Sequence, residues 1–446
     1  MRLQYAAAVG LFLLGICANA SAATYPPTCT GAKPPADVTY RGKTLREAPD
    51  ITSSELRKID AVVDASGCLG LAQQLLDVYR ANHPEDYMAA YPQARIQRIS
   101  GDASTAELTL RGVLREHPDF ASAKVNLATI LLSRDPHAAG VLIKSVLATQ
   151  PNDLWANIDV LRVQVALSRN QAAIDGLLSI ARDAGFPPVA REIAALDVVD
   201  SRFSSPKEIE EAYVVQLTFE SITPREGKLA NLAYFLIELA GRFKEGGELL
   251  VPLMNRQDHY CCEGMAHTLL AEAYLLEAAS IDPKPSDKNK HLVAKAKEVL
   301  GGDLSELVPR AMPNSRLQPM LPFLQDIADP NVSNDDGETA LCVAVQGISM
   351  SENRKSVQAA LHLGAQTEVF CQASTPLGLL LMTGLKDPAK FDDRMAIIKM
   401  LLDHGANPNP PMMPDTNAFA YCEGSEFCKE KVLPLLKSYV AKYKSK

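Results

Sequence analysis

Three shortages frame the sequence. Aromatic residues make up only 6% of the 446-residue chain, with a single Trp. Cations are in deficit, 45 Lys and Arg against 53 Asp and Glu, for a formal net charge of −8. Beyond the N-terminus no apolar run is long enough to span a bilayer. One later candidate, Leu232 to Ala240, is interrupted by Glu238 and reads as a buried helix. The acidic balance argues against nucleic acid as the main partner, because phosphate binding needs clustered positive charge. Few aromatics and much Ala favour helices, since Ala is the least costly residue in a helix. Catalytic signatures are missing as well. There is no Gly-rich phosphate loop, His-Glu-x-x-His, Gly-x-Ser-x-Gly or Cys-x-x-Cys. What is present is ample apolar material, 47% of residues, which excludes wholesale disorder. The length allows two or three domains or one long repeat array.

The first 22 residues have the form of a secretory leader. Arg2 supplies the positive end, Ala6 to Cys17 the apolar run, and Ala20-Ser21-Ala22 a small-x-small cleavage site. A retained anchor is the alternative. Cleavage after Ala22 removes Arg2 and Cys17, which shifts the formal charge from −8 to −9 and leaves eight Cys. Export permits disulfides. Proximity along the chain suggests Cys29 with Cys68, Cys342 with Cys371, and Cys422 with Cys428. Cys261 and Cys262 are adjacent, so a bond between them would be strained and free or intermolecular thiols are equally open. The expected compartment is a bacterial periplasm, or secretion beyond it.

After an extended segment at 23–51, the chain becomes periodic. Ala72, Ala106, Ala139 and Ala173 are separated by 34, 33 and 34 residues, and Leu76, Leu110, Ile143 and Leu177 repeat those intervals. Tyr79, Val113, Val146 and Ile180 do the same, and Pro84, Pro118 and Pro151 close three units. A further column, Val62, Ile96, Ile130 and Val163, runs upstream at 34, 34 and 33. Within a unit, Ala72, Leu76 and Tyr79 share one helical face. The small residue admits a neighbouring helix, and the closing Pro ends the hairpin. Gly67 and Gly101 fall in the turns between paired helices. Each hairpin leaves an apolar face that only its neighbour can cover, so stacking is required.

These columns resemble tetratricopeptide repeats over 52–186. From 187 to 330 the helical pattern continues without a strict period, with His267, Leu270, Ala271 and Tyr274 at first-helix spacing and Leu292, Ala296 and Leu300 as the candidate partner helix. Over 331–446 the pattern changes. Gly337-Glu338-Thr339-Ala340-Leu341, Ser374-Thr375-Pro376-Leu377 and Leu401-Leu402-Asp403-His404-Gly405-Ala406 resemble the turn, helix start and helix end of ankyrin repeats. A third unit is inferred from Asn417 to Tyr443. The expected fold is all-α, an α-solenoid of tetratricopeptide-like helical hairpins joined to a short C-terminal ankyrin-repeat array.

The resemblance implies a protein-binding groove lined by first helices. Its inward positions would be Tyr91, Arg95, Arg98, Asn126, Trp155, Asp159 and Arg162. Trp, Tyr and Arg are enriched at energetic centres of interfaces, and Arg forks a carboxylate, so an acidic peptide or a C-terminus is the expected guest. The other reading of these residues is inter-repeat core and solvated charge. His259, Cys261, Cys262, Glu263 and His267 are close enough in sequence to suggest zinc, but no second ligand pair accompanies them, and packing at a helix start is the plainer reading. Asp335 and Asp336 read as turn and capping residues. The function expected is a non-catalytic scaffold or regulator that binds another protein, without a cofactor or metal. An immunity protein against a periplasm-targeted toxin is the alternative within that class. A metal- or thiol-dependent enzyme at Cys261 and Cys262 is the alternative outside it.

Overall fold

The computed structural model describes residues 29, 37–65, 68–220, 224–254, 263–325, 327–334, 336–346, 350–371, 374–382, 391–412 and 416–444. The leader, Gly67, His259, Cys261, Cys262 and Asp335 lie outside them. The chain divides into two compact units, Met1–Leu232 and Ala233–Lys446.

The first unit is a tetratricopeptide-like α-solenoid. A two-stranded hairpin, β1 (Val38–Tyr40) and β2 (Lys43–Leu45), precedes the helices. Helices α1 (Ser54–Asp64) and α2 (Leu69–Asn82) form the first pair, α3 (Ala90–Ile99) and α4 (Ala103–Glu116) the second. Then come α5 (Ala121–Leu131) with α6 (Pro136–Thr149), α7 (Leu154–Leu167) with α8 (Gln171–Arg182), and α9 (Pro188–Asp200) with α10 (Pro206–Gln216). Each helix packs on the next, and α1, α3, α5, α7 and α9 also pack on one another in order. The array therefore extends past 186, where the sequence places a boundary. Pro188 opens a helix rather than ending the array, because a first-turn Pro loses no hydrogen bond.

The periodic columns are the core. Ala72, Ala106, Ala139 and Ala173, with Leu76, Leu110, Ile143 and Leu177, are all 0% exposed. Val62, Ile96, Ile130 and Val163 are all buried to a similar degree. Helix starts are set by side chains that accept from the third N–H along. Ser53 caps α1, Asp102 α4, Asp135 α6, Asp153 α7 and Asn170 α8. Ala106 has no room to grow. We expect Ala106→Leu to lower stability by about 1–3 kcal/mol through overpacking, while Leu108→Ala, exposed two residues further on, stays within about 0.5 kcal/mol. Urea midpoints of the two variants check this.

The end of α11 (Arg225–Tyr234) widens into a π-helical turn at Phe235–Leu239, where the Ala240 N–H bonds the Phe235 carbonyl. Helices α12 (Phe243–Met254), α13 (Glu263–Ile281) and α14 (Lys290–Val299) follow, each packed on the last. Gly246 lets α12 close on the π turn, since a Cβ there would lie 2.5 Å from Ile237. Leu270, Ala271, Leu292 and Ala296 are buried where α13 meets α14. Their link is held by Asn289, whose buried amide donates to the carbonyls of Ala278, Asp282 and Lys284.

After short helices α15 (Leu307–Ala311) and α16 (Leu321–Leu324), two similar pairs follow. They are α17 (Ala340–Gln346) with α18 (Met350–His362), and α19 (Pro376–Met382) with α20 (Phe391–Asp403). Both second helices end in the same way. Gly364 and Gly405 adopt positive φ, and Ala365 and Ala406 donate back to Ala360 and Leu401. The turns stack, with Gln366 N–H on Asn331 and Asn407 N–H on Glu368. A hairpin of β3 (Pro411–Met412) and β4 (Thr416–Asn417) leads to α21 (Ala418–Glu423), α22 (Glu426–Lys431), α23 (Leu433–Ser438) and α24 (Val440–Lys444). The inferred last unit is thus four short helices rather than one hairpin. In it Val432 and Leu436 are fully buried, while the Tyr439 hydroxyl donates to Asp403. Cys342 bonds Cys371 and Cys422 bonds Cys428, tying α17 to the approach to α19 and α21 to α22.

Candidate partner-binding site

The segment before α1 is a strap lying on the ends of other helices. Val38 and Leu45, opposite one another in the hairpin, enter the core beside Leu154 and Ile158. Tyr40 donates to the Gly176 carbonyl at 3.4 Å and meets the Phe186 ring edge-on. Arg46 then makes a main-chain bridge beside α7. Its N–H reaches the Asn152 carbonyl at 2.9 Å, and its carbonyl accepts from the Leu154 N–H at 2.7 Å. Three residues after Glu47, Asp50 caps α5, accepting from the Ser122 N–H and hydroxyl. Arg57 on α1 holds the strap from behind, donating to the carbonyls of Glu47, Ala48 and Ile51. Ala48 is left-handed, φ 41°, which costs a residue with a Cβ about 1–2 kcal/mol. Cys29 bonds Cys68 at the start of α2.

Glu47 carries the strap into a charged cluster. Arg95, 5% exposed, pairs with Asp60 and Asp64 of α1 and lies 3.6 Å from Glu47. The Trp155 indole N–H donates to the same Glu47 carboxylate at 2.6 Å, and Tyr91 lies buried beneath the Arg95 guanidinium. Burial pushes Glu47 up to about 8, with Arg95 only partly opposing it, and pushes Asp60 up to about 6. The cause is the surplus of carboxylates over cations in a desolvated place.

A second cluster lies on α7 and α9. Arg162 pairs with Asp159 at 2.9 Å and with Asp197 at 2.5 Å, and the Thr129 hydroxyl also donates to Asp159. Burial raises Asp197, and raises Asp200 to about 6. Arg98 feels both clusters. Burial, then Arg95 and Arg162, lower it to about 10. Among the described residues its Nε has no acceptor, and neither has the buried Nδ2 of Asn126 on α5.

The structure therefore brings Tyr91, Arg95 and Trp155 together around Glu47, and Asp159 and Arg162 around Asp197. The expectation of open guanidinium forks is corrected. Arg95 and Arg162 are held by the chain's own carboxylates, because a desolvated guanidinium is stable only with acceptors in place. Arg98 and Asn126 keep unused donors. Glu47, Asp60, Asp64 and Asp197 are the members that the sequence reading missed.

The second unit holds another ion pair, with its carboxylate buried and its guanidinium partly exposed. Glu272, 0% exposed, accepts from the Arg310 Nε at 2.6 Å, and Glu238 on the π turn accepts from Asn314 at 2.9 Å. Burial and the neighbouring Glu272 push Glu238 up to about 7. Among the described residues no group of three or more His, Cys, Asp or Glu is placed to hold a metal, and Cys261 and Cys262 lie outside them.

No family model and no curated protein matches the chain. A crystal structure of the P58(IPK) TPR domain aligns over 87% of this chain and 98% of that one, at 14% identity and a TM-score of 0.21. So low a score carries no weight, and the helix order and buried columns alone define the architecture.

Proposed function

We propose that the protein is a non-catalytic scaffold for another protein, exported to the bacterial periplasm, and that its guest lies on the first-helix face of the first unit. One observation carries this reading. That face already seats an extended segment, the strap, through a main-chain bridge at Arg46 and carboxylate contacts at Glu47 and Asp50. The three disulfides among the described residues fit an oxidising compartment. In the second unit, the repeated glycine-ended helix pairs with stacked turns support ankyrin repeats over 331–407.

The test is photo-crosslinking in the native envelope. A crosslinker at position 98 should capture a discrete protein, and one at Leu108, exposed on α4, should not. Capture at 108 alone would move the guest to the second-helix face. Capture at neither would remove the binding role of the first unit.

A further inference from the structure

The strap's hold on the first unit is unusual in kind. Between Leu45 and Ile51, both buried, it is held by one main-chain bridge, one carboxylate under Arg95 and Trp155, one cap on α5 and three hydrogen bonds from Arg57. Left-handed Ala48 lies between the two carboxylates, kept there by Arg57. The strap also leaves work undone. Among the described residues the buried Arg98 Nε and Asn126 Nδ2, on helices the strap touches, have no acceptor. The disulfide at Cys29 closes a 39-residue loop around the strap, which holds it near its seat as a tethered ligand is held.

Resting on the scaffold reading above, we propose that the strap is a displaceable occupant of a peptide seat, and that an extended partner segment with two carboxylates three residues apart takes its place. Glu47 and Asp50 are the pattern that such a segment reproduces. An added acceptor on the incoming segment satisfies Arg98 or Asn126, which favours the guest over the strap. Loss of the Cys29–Cys68 bond removes one of the strap's two tethers, the other being its own chain into α1, and so loosens its hold on the seat.

The reporters are built in. The amides of Leu154 and Ser122 are bonded by the strap, and Trp155 is the sole Trp of the chain. In the full-length oxidised protein, hydrogen exchange at Leu154 and Ser122 should be faster by roughly tenfold or more than at the interior amides of α7. In the Cys29→Ser, Cys68→Ser protein the gap should widen, and acrylamide should quench Trp155 more strongly. A synthetic peptide of residues 37–51 should then bind in trans and restore protection. The same peptide with Glu47→Ala and Asp50→Ala should not. Exchange at Leu154 and Ser122 no faster than in the α7 interior would overturn the proposal and make the strap permanent core, and that measurement needs no variant. Equal binding of both peptides would overturn the carboxylate pattern. Neither result touches the crosslinking test, which judges the scaffold reading separately.

Discussion

Arg95→Ala is expected to destabilise the first unit by about 3–5 kcal/mol, the usual loss when one member of a buried ionic group is removed. The guanidinium faces Asp60, Asp64 and Glu47, and its removal leaves three carboxylates without their ion-pair partner. Arg95→Lys should recover only part of the loss, since one ammonium cannot fork two carboxylates in fixed geometry. Placing Glu47→Gln, Asp60→Asn and Asp64→Asn behind Arg95→Ala should recover more, because amides are less costly to bury than unpaired charges. Urea unfolding of the series, read as midpoint at constant slope, measures it. A loss below about 1 kcal/mol for Arg95→Ala would mean that the group is solvated like a surface pair.

Raising the pH from 5 to 9 is expected to weaken the first unit by about 3 kcal/mol or more, with one pKa unit worth about 1.4 kcal/mol. Burial raises Glu47 to about 8, Asp153 to about 7, and Asp60 and Asp200 to about 6. These carboxyls hold their protons more tightly folded than unfolded. Their contribution is complete below about pH 4, near the ordinary carboxyl value, and disappears as the pH climbs through 6 to 8. Exposed Asp102 and half-buried Glu107, both lowered by their hydrogen bonds, act in the opposite sense and only at acid pH. Midpoints at pH 5, 7 and 9 give the slope. Glu47→Gln should flatten its alkaline end, and a profile already flat in the unaltered protein would contradict the buried-carboxyl account.

The solenoid was legible because its second helices obey one rule. Every unit needs a small residue and a large one at fixed places, so Ala72 and Leu76 recur with near-constant spacing and identical burial. The first helices blur the pattern because part of their buried face is ionic. Asp60, Asp64 and Arg95 occupy places where apolar residues would announce core, and the eye assigns them to solvent. A signal did exist. Asp60 to Arg95 and Arg162 to Asp197 are both 35 residues apart, one repeat plus one, with opposite charge. Glu47 belongs to no period at all, and only the fold of the strap brings it to Trp155.

The disulfides have a consequence for how the chain is made. Cys29–Cys68, Cys342–Cys371 and Cys422–Cys428 follow one another without crossing, and Cys261 and Cys262 fall between the first pair and the second. In a chain oxidised progressively from its N-terminal end, each of these bonds joins a cysteine to the next one to arrive. Correct oxidation then needs speed rather than proofreading, and a disulfide isomerase has no tangled pairing to undo among these six cysteines. The loops span 39, 29 and 6 residues, so each closure would be worth about 2–4 kcal/mol on chain entropy, with the shortest worth least. Maturation would thus lock the strap first, before most of the solenoid beneath it exists.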